Sequence, residues 1–258
     1  MIWEVRKVQK EIKSEQNKKT SLFILTNMKK TNRIWISLLT VLGLLLILQN
    51  SCKKTDDKTT GVTDKDGNVY KTVTIGTQVW MAENLKTTKY LNGELIGTTT
   101  LTSSDISAES TPKYQWPSGG NESSVGTYGR LYTWYAVTDS RNVCPAGWHV
   151  PTNAEFTTLM TYLGGDAIAG LKLKETGTTH WNSPNTGATN ETGFTALPGG
   201  YRGYEGTYNF IGYTGYFWSE TEYDANNGWY RGLYYNGDYD HNLSNSKKVG
   251  FAVRCLKN

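Results

Sequence analysis

The sequence predicts an α+β fold made mainly of short strands, turns and loops, with few helices. Three observations lead there. From about Gly61 to Asn258 the chain is rich in Gly, Tyr, Trp and Thr and poor in Leu and Ala, a composition that suits pleated, turn-rich structure. Within CPAGWHVPTNAEFTTLMTYLGG (Cys144 to Gly165), Thr152 and Glu155 form a Thr-x-x-Glu capping box behind Pro151. Phe156, Leu159, Met160 and Leu163 then recur at helical spacing, and Gly164-Gly165 stops the helix. Finally, Asp66-Gly67 and Asn236-Gly237 are hairpin dipeptides set between strand-like runs. About 200 residues suffice for one compact domain, and no fixed-period repeat divides them.

The N-terminus reads as an address. Ile34 to Leu48 is an apolar run of fifteen residues, shorter than the about 17–25 needed to span a bilayer. Lys29, Lys30 and Arg33 precede it, and Ser51 and Cys52 follow, which is the layout of an export signal. A cysteine at the cleavage point points to lipidation of Cys52, with acyl chains contributing about 0.8 kcal/mol per buried methylene. The segment resembles a lipobox, although Gln49 stands where an aliphatic residue is usual. The alternative is an uncleaved anchor helix with an incidental cysteine. Met28 opens a signal of ordinary length. The expected organisation is therefore 1–27 as an upstream extension, 28–51 as signal peptide, 52–60 as polar tether and 61–258 as the folded domain. Asp56-Asp57 in the tether resembles the acidic surface-export signals of Bacteroidetes lipoproteins. The expected place is the cell envelope, as an outer-membrane lipoprotein with surface exposure open, and the membrane is a partner through the lipid.

Charge follows the same division. Nine of the 27 Lys and Arg and three of the 23 Asp and Glu precede Cys52, leaving 18 basic and 20 acidic residues beyond it. The exported part is thus slightly acidic, and no basic patch argues for nucleic acid. With Cys52 acylated, Cys144 and Cys255 remain as the two domain cysteines in an oxidising compartment, and they are expected to pair. A loop of about 110 residues closed this way contributes about 4–5 kcal/mol in the chain-entropy model. The alternative is two unrelated buried thiols.

Taken in order, Val69, Lys71, Val73 and Ile75 are expected on one face of a strand, with Tyr70, Thr72 and Thr74 on the other. Gly76-Thr77 turns the chain, and Gln78 to Met81 starts a second strand. Asp64-x-Asp66-x-Asn68 has the opening spacing of a calcium loop, but the twelfth position is Ile75, so a hairpin is the better reading. Residues 92–124 form a polar excursion, with a short strand over Lys113 to Trp116. Gly126 to Asp139 is a candidate helix. Ala167 to Glu175 carries a second short helix or strand, and Phe194 to Gly200 a strand broken by Pro198. Tyr216 to Thr221, Gly228 to Tyr235 and Val249 to Leu256 follow as strands, the last central because it is almost wholly apolar.

The phrases VYKTVTIGTQVWMAENL, YGRLYTWYAV, CPAGWHVPTNAEF, GFTALPGGYR and GYFWSETEY occur in the order expected of the Fibrobacter succinogenes major paralogous domain, and the resemblance covers Gly61 to Asn258. Phe156 stands where that family often has Trp, and Glu220 interrupts its commoner Trp-Ser-Ser-Thr. The resemblance implies a C-type lectin-like or formylglycine-generating-enzyme-like fold: small twisted antiparallel sheets, two main helices and long irregular loops. It implies an exported lipoprotein but no biochemistry.

The chain has no His-Glu-x-x-His zinc site, no Gly-x-Ser-x-Gly elbow and no phosphate loop. His149, His180 and His241 lack ligand spacing, and His149 reads as structural. No residue is assigned a catalytic role and no cofactor is expected. Between Tyr201 and Tyr239 aromatics are dense. Tyr204, Tyr208, Tyr213, Trp229 and Tyr239 are candidate ligand contacts, because rings with a polar tip suit a wet recognition surface; strand packing is the competing explanation for most of this set. Asp238-x-Asp240-x-Asn242 supplies hard oxygen atoms of the kind calcium prefers, with a polar hairpin as the alternative. The expected function is a non-catalytic domain that binds a glycan or protein ligand. An envelope polysaccharide-acting enzyme and a purely structural lipoprotein are the rivals.

Overall fold

A computed structural model describes residues 15–21, 61–237 and 240–258, with only the backbone of Asp240 and His241. The chain divides into two units, Met1–Asp57 and Lys58–Asn258. In the first, residues 15–21 are helical. The stretches expected to be the signal peptide and the tether, with Cys52, lie outside the described residues.

The second unit is α+β, with strands outnumbering helices. Its main sheet has five strands: β8 (Gly199–Arg202), β9 (Tyr208–Ile211), β10 (Thr214–Glu222), β11 (Asn227–Tyr234) and β12 (Asp240–Ser246), in the order β12-β11-β10-β8-β9. A second sheet orders β3 (Thr72–Ile75), β4 (Gln78–Met81), β13 (Leu256–Lys257) and β7 (Trp148–His149) as β3-β4-β13-β7. Two pairs complete the set: β1 (Val62–Thr63) with β2 (Val69–Tyr70), and β5 (Gln115–Pro117) with β6 (Arg130–Tyr132). The helices are α1 (Val125–Tyr128), α2 (Trp134–Val137), α3 (Asn153–Tyr162) and α4 (Asp166–Leu173).

The capped helix forms as its sequence dictates. In α3 the Thr152 hydroxyl accepts from the Glu155 N–H while the Glu155 carboxylate accepts from the Thr152 N–H. Phe156, Leu159 and Met160 are buried, Thr157, Thr158 and Thr161 are exposed, and Gly164 and Gly165 take positive φ. β10 is buried on both faces. Tyr216 and Trp218 pack with Tyr132, Trp134, Tyr230 and Phe251 on one side, and Phe217 joins Trp80, Phe156 and Phe194 on the other. Cys144 and Cys255 are disulfide-bonded.

Four expectations change. The first strand breaks at Lys71 into β2 and β3, and it is Tyr70 that is buried while Val69 is exposed. The Tyr70 hydroxyl donates to the Asp64 carboxylate and accepts from the Lys86 N–H, which draws it inward. Gly126 to Asp139 is two short helices flanking β6, because Gly129 has φ 74° and no room for a side chain; a Cβ there would lie 2.7 Å from that of Asn84. The stretch from Phe194 is a strand only from Gly199, because Thr195 turns to φ 53° and Ala196 makes only an isolated bridge to Lys174 before Pro198. Val249 to Leu256 is buried throughout but regular only at its end. It bonds in turn to Arg202, Tyr132, Tyr216, Trp218, Leu85 and Met81, so it serves several strands and pairs fully with none. The apolar run marks a central segment, as expected, but not a continuous strand.

The Asp64-x-Asp66-x-Asn68 segment is a hairpin. One Asp64 oxygen accepts from the Asp66 and Asn68 N–H groups at 2.9 Å each, and the other from the Asn68 amide at 2.8 Å. Those oxygens are satisfied by protein donors.

Candidate functional site

A cavity of about 480 Å³ opens where the end of β4, α1, the loop after α4 and the approach to β8 converge over Arg254. Its polar lining falls into three groups: the pair Glu83 and Asn84 with Lys71, the pair Glu175 and His180, and Thr127 and Thr195. Ala82, Gly126 and Gly193 keep it open.

Arg254 forms the floor and is 1% exposed. Its Nε donates to Asn84 Oδ1 at 2.8 Å, and its terminal nitrogens donate to the Phe194 carbonyl and, at 2.8 Å, to the Thr195 carbonyl. The guanidinium lies 4.3 Å from the Phe194 ring centroid. Desolvation pushes its pKa down to about 9, against a weaker opposing pull from Glu83. Asn84, itself buried, donates to the Tyr128 carbonyl at 2.9 Å and so ties α1 to this floor.

On one wall the Glu83 carboxylate accepts from the Lys71 N–H at 2.9 Å and meets Lys86 at 3.6 Å. On the other, His180 Nδ1 lies 2.9 Å from both Glu175 oxygens, and the Tyr128 ring sits edge-on at 5.7 Å. With Nδ1 engaged by the carboxylate, Nε2 is the nitrogen left for a ligand. The loop carrying this pair is firmly held. Lys174 Nζ caps the carbonyls of Thr186, Tyr234 and Gly237, Trp181 Nε1 donates to the Ala196 carbonyl, and the Asn185 amide donates to the carbonyls of Glu175 and Gly177.

Thr195 is the strained member. It is β-branched, yet has φ 53°, a conformation such residues rarely adopt. Asn190 Oδ1 holds its N–H at 2.8 Å, and Arg254 holds its carbonyl. Strain fixed from both ends at a cavity wall is a recognised mark of a functional site.

None of the aromatic candidates lines this cavity. Tyr204 and Tyr213 are exposed, Tyr213 standing edge-on to Tyr235 at 5.1 Å. Tyr208 is half-buried, its hydroxyl 3.3 Å from the Thr102 carbonyl. Trp229, also half-buried, meets Tyr223 edge-on at 4.8 Å. Tyr239 and Asp238 lie outside the described residues, as does the Asp240 side chain; Asn242 pairs with Arg231 across β11 and β12. Among the described residues no group of three or more His, Cys, Asp or Glu could hold a metal. His149 is structural in its contacts, bonding Asn258 at 2.7 Å and Glu155 at 3.0 Å.

Sequence reasoning passed over Glu83, Asn84, Glu175, His180, Thr195 and Arg254. They come from four distant stretches and share no local spacing. One signal was there: a lone arginine inside the apolar run VGFAVRCL needs a reason to be buried.

The model of the Fibrobacter succinogenes major domain matches residues 73–257. No curated protein and no solved structure matches the chain.

Proposed function

The chain belongs to the Fibrobacter succinogenes major domain family, and from that premise we propose that its folded part is a non-catalytic glycan-binding domain of C-type lectin-like type, held at the cell envelope by a lipid on Cys52. The observation that carries the binding role is the cavity over Arg254. Its volume falls within the roughly 300–1,000 Å³ common for ligand sites. It presents a donor on Lys71 beside acceptors on Glu83, Glu175 and His180 Nε2, and hydroxyls on Thr127 and Thr195. Sugar hydroxyls both give and take hydrogen bonds, so a wall of mixed donors and acceptors suits them. The disulfide between Cys144 and Cys255 agrees with an exported protein. The test is a glycan array probed with the full-length protein, then with His180→Ala and Glu175→Gln. Specific hits that vanish in both variants are expected. Hits that persist unchanged, or none across a broad array, would contradict the proposal.

A second reading has one observation in its favour. Glu83 and Glu175 line the same cavity, and two carboxylates facing a sugar are the equipment of a glycoside hydrolase. On that reading the protein shortens an envelope polysaccharide and loses the activity in Glu83→Gln and Glu175→Gln alike. Binding without chain shortening would decide for the non-catalytic domain.

A further inference from the structure

We propose that the glycan unit seated in this cavity is anionic, carrying a carboxylate or an ester oxyanion that faces Arg254. The inference rests on the glycan-binding proposal above and adds the charge of the ligand.

Three buried cations of this domain have a carboxylate beside them. Arg130 meets Glu122 at 2.6 Å, Lys247 meets Glu222 at 3.0 Å, and Arg231 meets Asp166 at 3.8 Å. Arg202 and Arg254 are as deeply buried, yet their acceptors are neutral oxygens: the Thr102, Gly203 and Ser104 carbonyls for Arg202, and Asn84, Phe194 and Thr195 for Arg254. Of the two, Arg254 is the one that lines the cavity. Among the described residues no carboxylate lies within 4.0 Å of its guanidinium, and Glu83 acts on it only from farther away. A buried charge without a counter-charge is costly, and the cost falls when an anion arrives beside it. The depressed pKa of Arg254 is consistent with this, since burial and not an adjacent carboxylate sets it.

The cavity's own acids do not fill that role. Glu83 is engaged by the Lys71 N–H and Lys86, and Glu175 by His180. Lys71 is exposed at the rim, where its ammonium can meet a second oxygen of the ligand. An anion over Arg254 would therefore find two cations, Arg254 beneath it and Lys71 at the rim.

The experiment is calorimetric titration of the full-length protein with three oligosaccharides of matched length: a uronate, a sulfate ester and a neutral parent. Lys71→Met and Glu83→Gln are the variants, each checked for an unchanged melting temperature. Arg254 is left intact because its loss would unsettle the fold. The uronate or the sulfate ester is expected to bind about tenfold more tightly than the neutral parent, as charge-assisted hydrogen bonds exceed neutral ones. Whichever is tighter identifies the source of the anion. Its affinity should fall with added salt, weaken in Lys71→Met and tighten in Glu83→Gln. Equal affinity for all three, indifferent to both variants, would overturn the anionic assignment and leave glycan binding standing. Binding of none of the three would overturn both.

Discussion

Arg254 donates to Asn84 at 2.8 Å from a position almost without solvent contact, and Asn84 passes the connection to Tyr128. Three segments distant in sequence are thereby fixed around one side chain. Replacing Arg254 with Met leaves the carbonyls of Phe194 and Thr195 and the Asn84 oxygen without donors. At about 1–3 kcal/mol for each buried polar group left unpaired, the variant is expected to lose at least about 3 kcal/mol in denaturant unfolding. A loss within experimental error would show that the floor does not depend on this residue.

The disulfide offers a second measurement. Cys144 and Cys255 are 111 residues apart, and replacing both with Ala is expected to cost about 4–5 kcal/mol by loop entropy. The loss should appear in denaturation of the oxidised protein against the double variant, and reduction of the wild type should reproduce it.

Thr195 gives a prediction of opposite sign. Glycine adopts φ 53° without strain. Thr195→Gly is therefore expected to leave stability within about 1 kcal/mol of wild type, while weakening binding through the lost hydroxyl and the loosened wall. Melting temperature and ligand affinity, measured together, check both halves.

The helix cap sets a pH dependence. Burial pushes the His149 imidazole down, but bonds to Asn258 and Glu155 outweigh it and raise the pKa. A raised folded-state pKa stabilises fully below the usual histidine value of 6.5 and is lost as pH rises through the folded value. Burial raises the Glu155 pKa, and the Thr152 and His149 contacts outweigh that and lower it, so its contribution is lost as pH falls below the usual carboxylate range. Melting temperature should thus fall from about pH 6 toward pH 8, and His149→Gln should flatten that limb. Glu155→Gln at neutral pH is expected to cost about 1 kcal/mol. The nearby Glu220, raised by burial, must be held constant in the comparison.

How much of this could be read from residues alone differs by element. The cap at Thr152 and Glu155, the hairpin at Asp66-Gly67 and the strands from Tyr216 and Gly228 were legible because each is decided locally, by capping, turn chemistry or period. The pairing of Cys144 with Cys255 was legible by elimination. Gly126 to Asp139 misled because Leu131 and Trp134 have helical spacing, whereas Gly129 lies so close to Asn84 and Leu85 that the chain must turn there. The cavity was not legible, since Lys71, Glu83, Glu175, His180 and Arg254 meet only through tertiary packing. Aromatic density pointed instead to Tyr204 and Tyr213, while Trp218 and Tyr230 of the same stretch proved to be core.

That core assignment is testable. Trp218 is fully buried and donates to the Tyr132 carbonyl at 2.8 Å. Trp218→Ala is expected to cost about 3–5 kcal/mol, whereas Tyr213→Ala, at an exposed position, should change stability by no more than about 0.5 kcal/mol.

The cavity claim is tested most directly by the imidazole resonances of His180 and His149, followed while an array-positive oligosaccharide is titrated into the full-length protein. The account predicts that the His180 signals move with saturation and those of His149 stay fixed. Movement confined to His149, or no movement of His180 at saturating ligand, would contradict it.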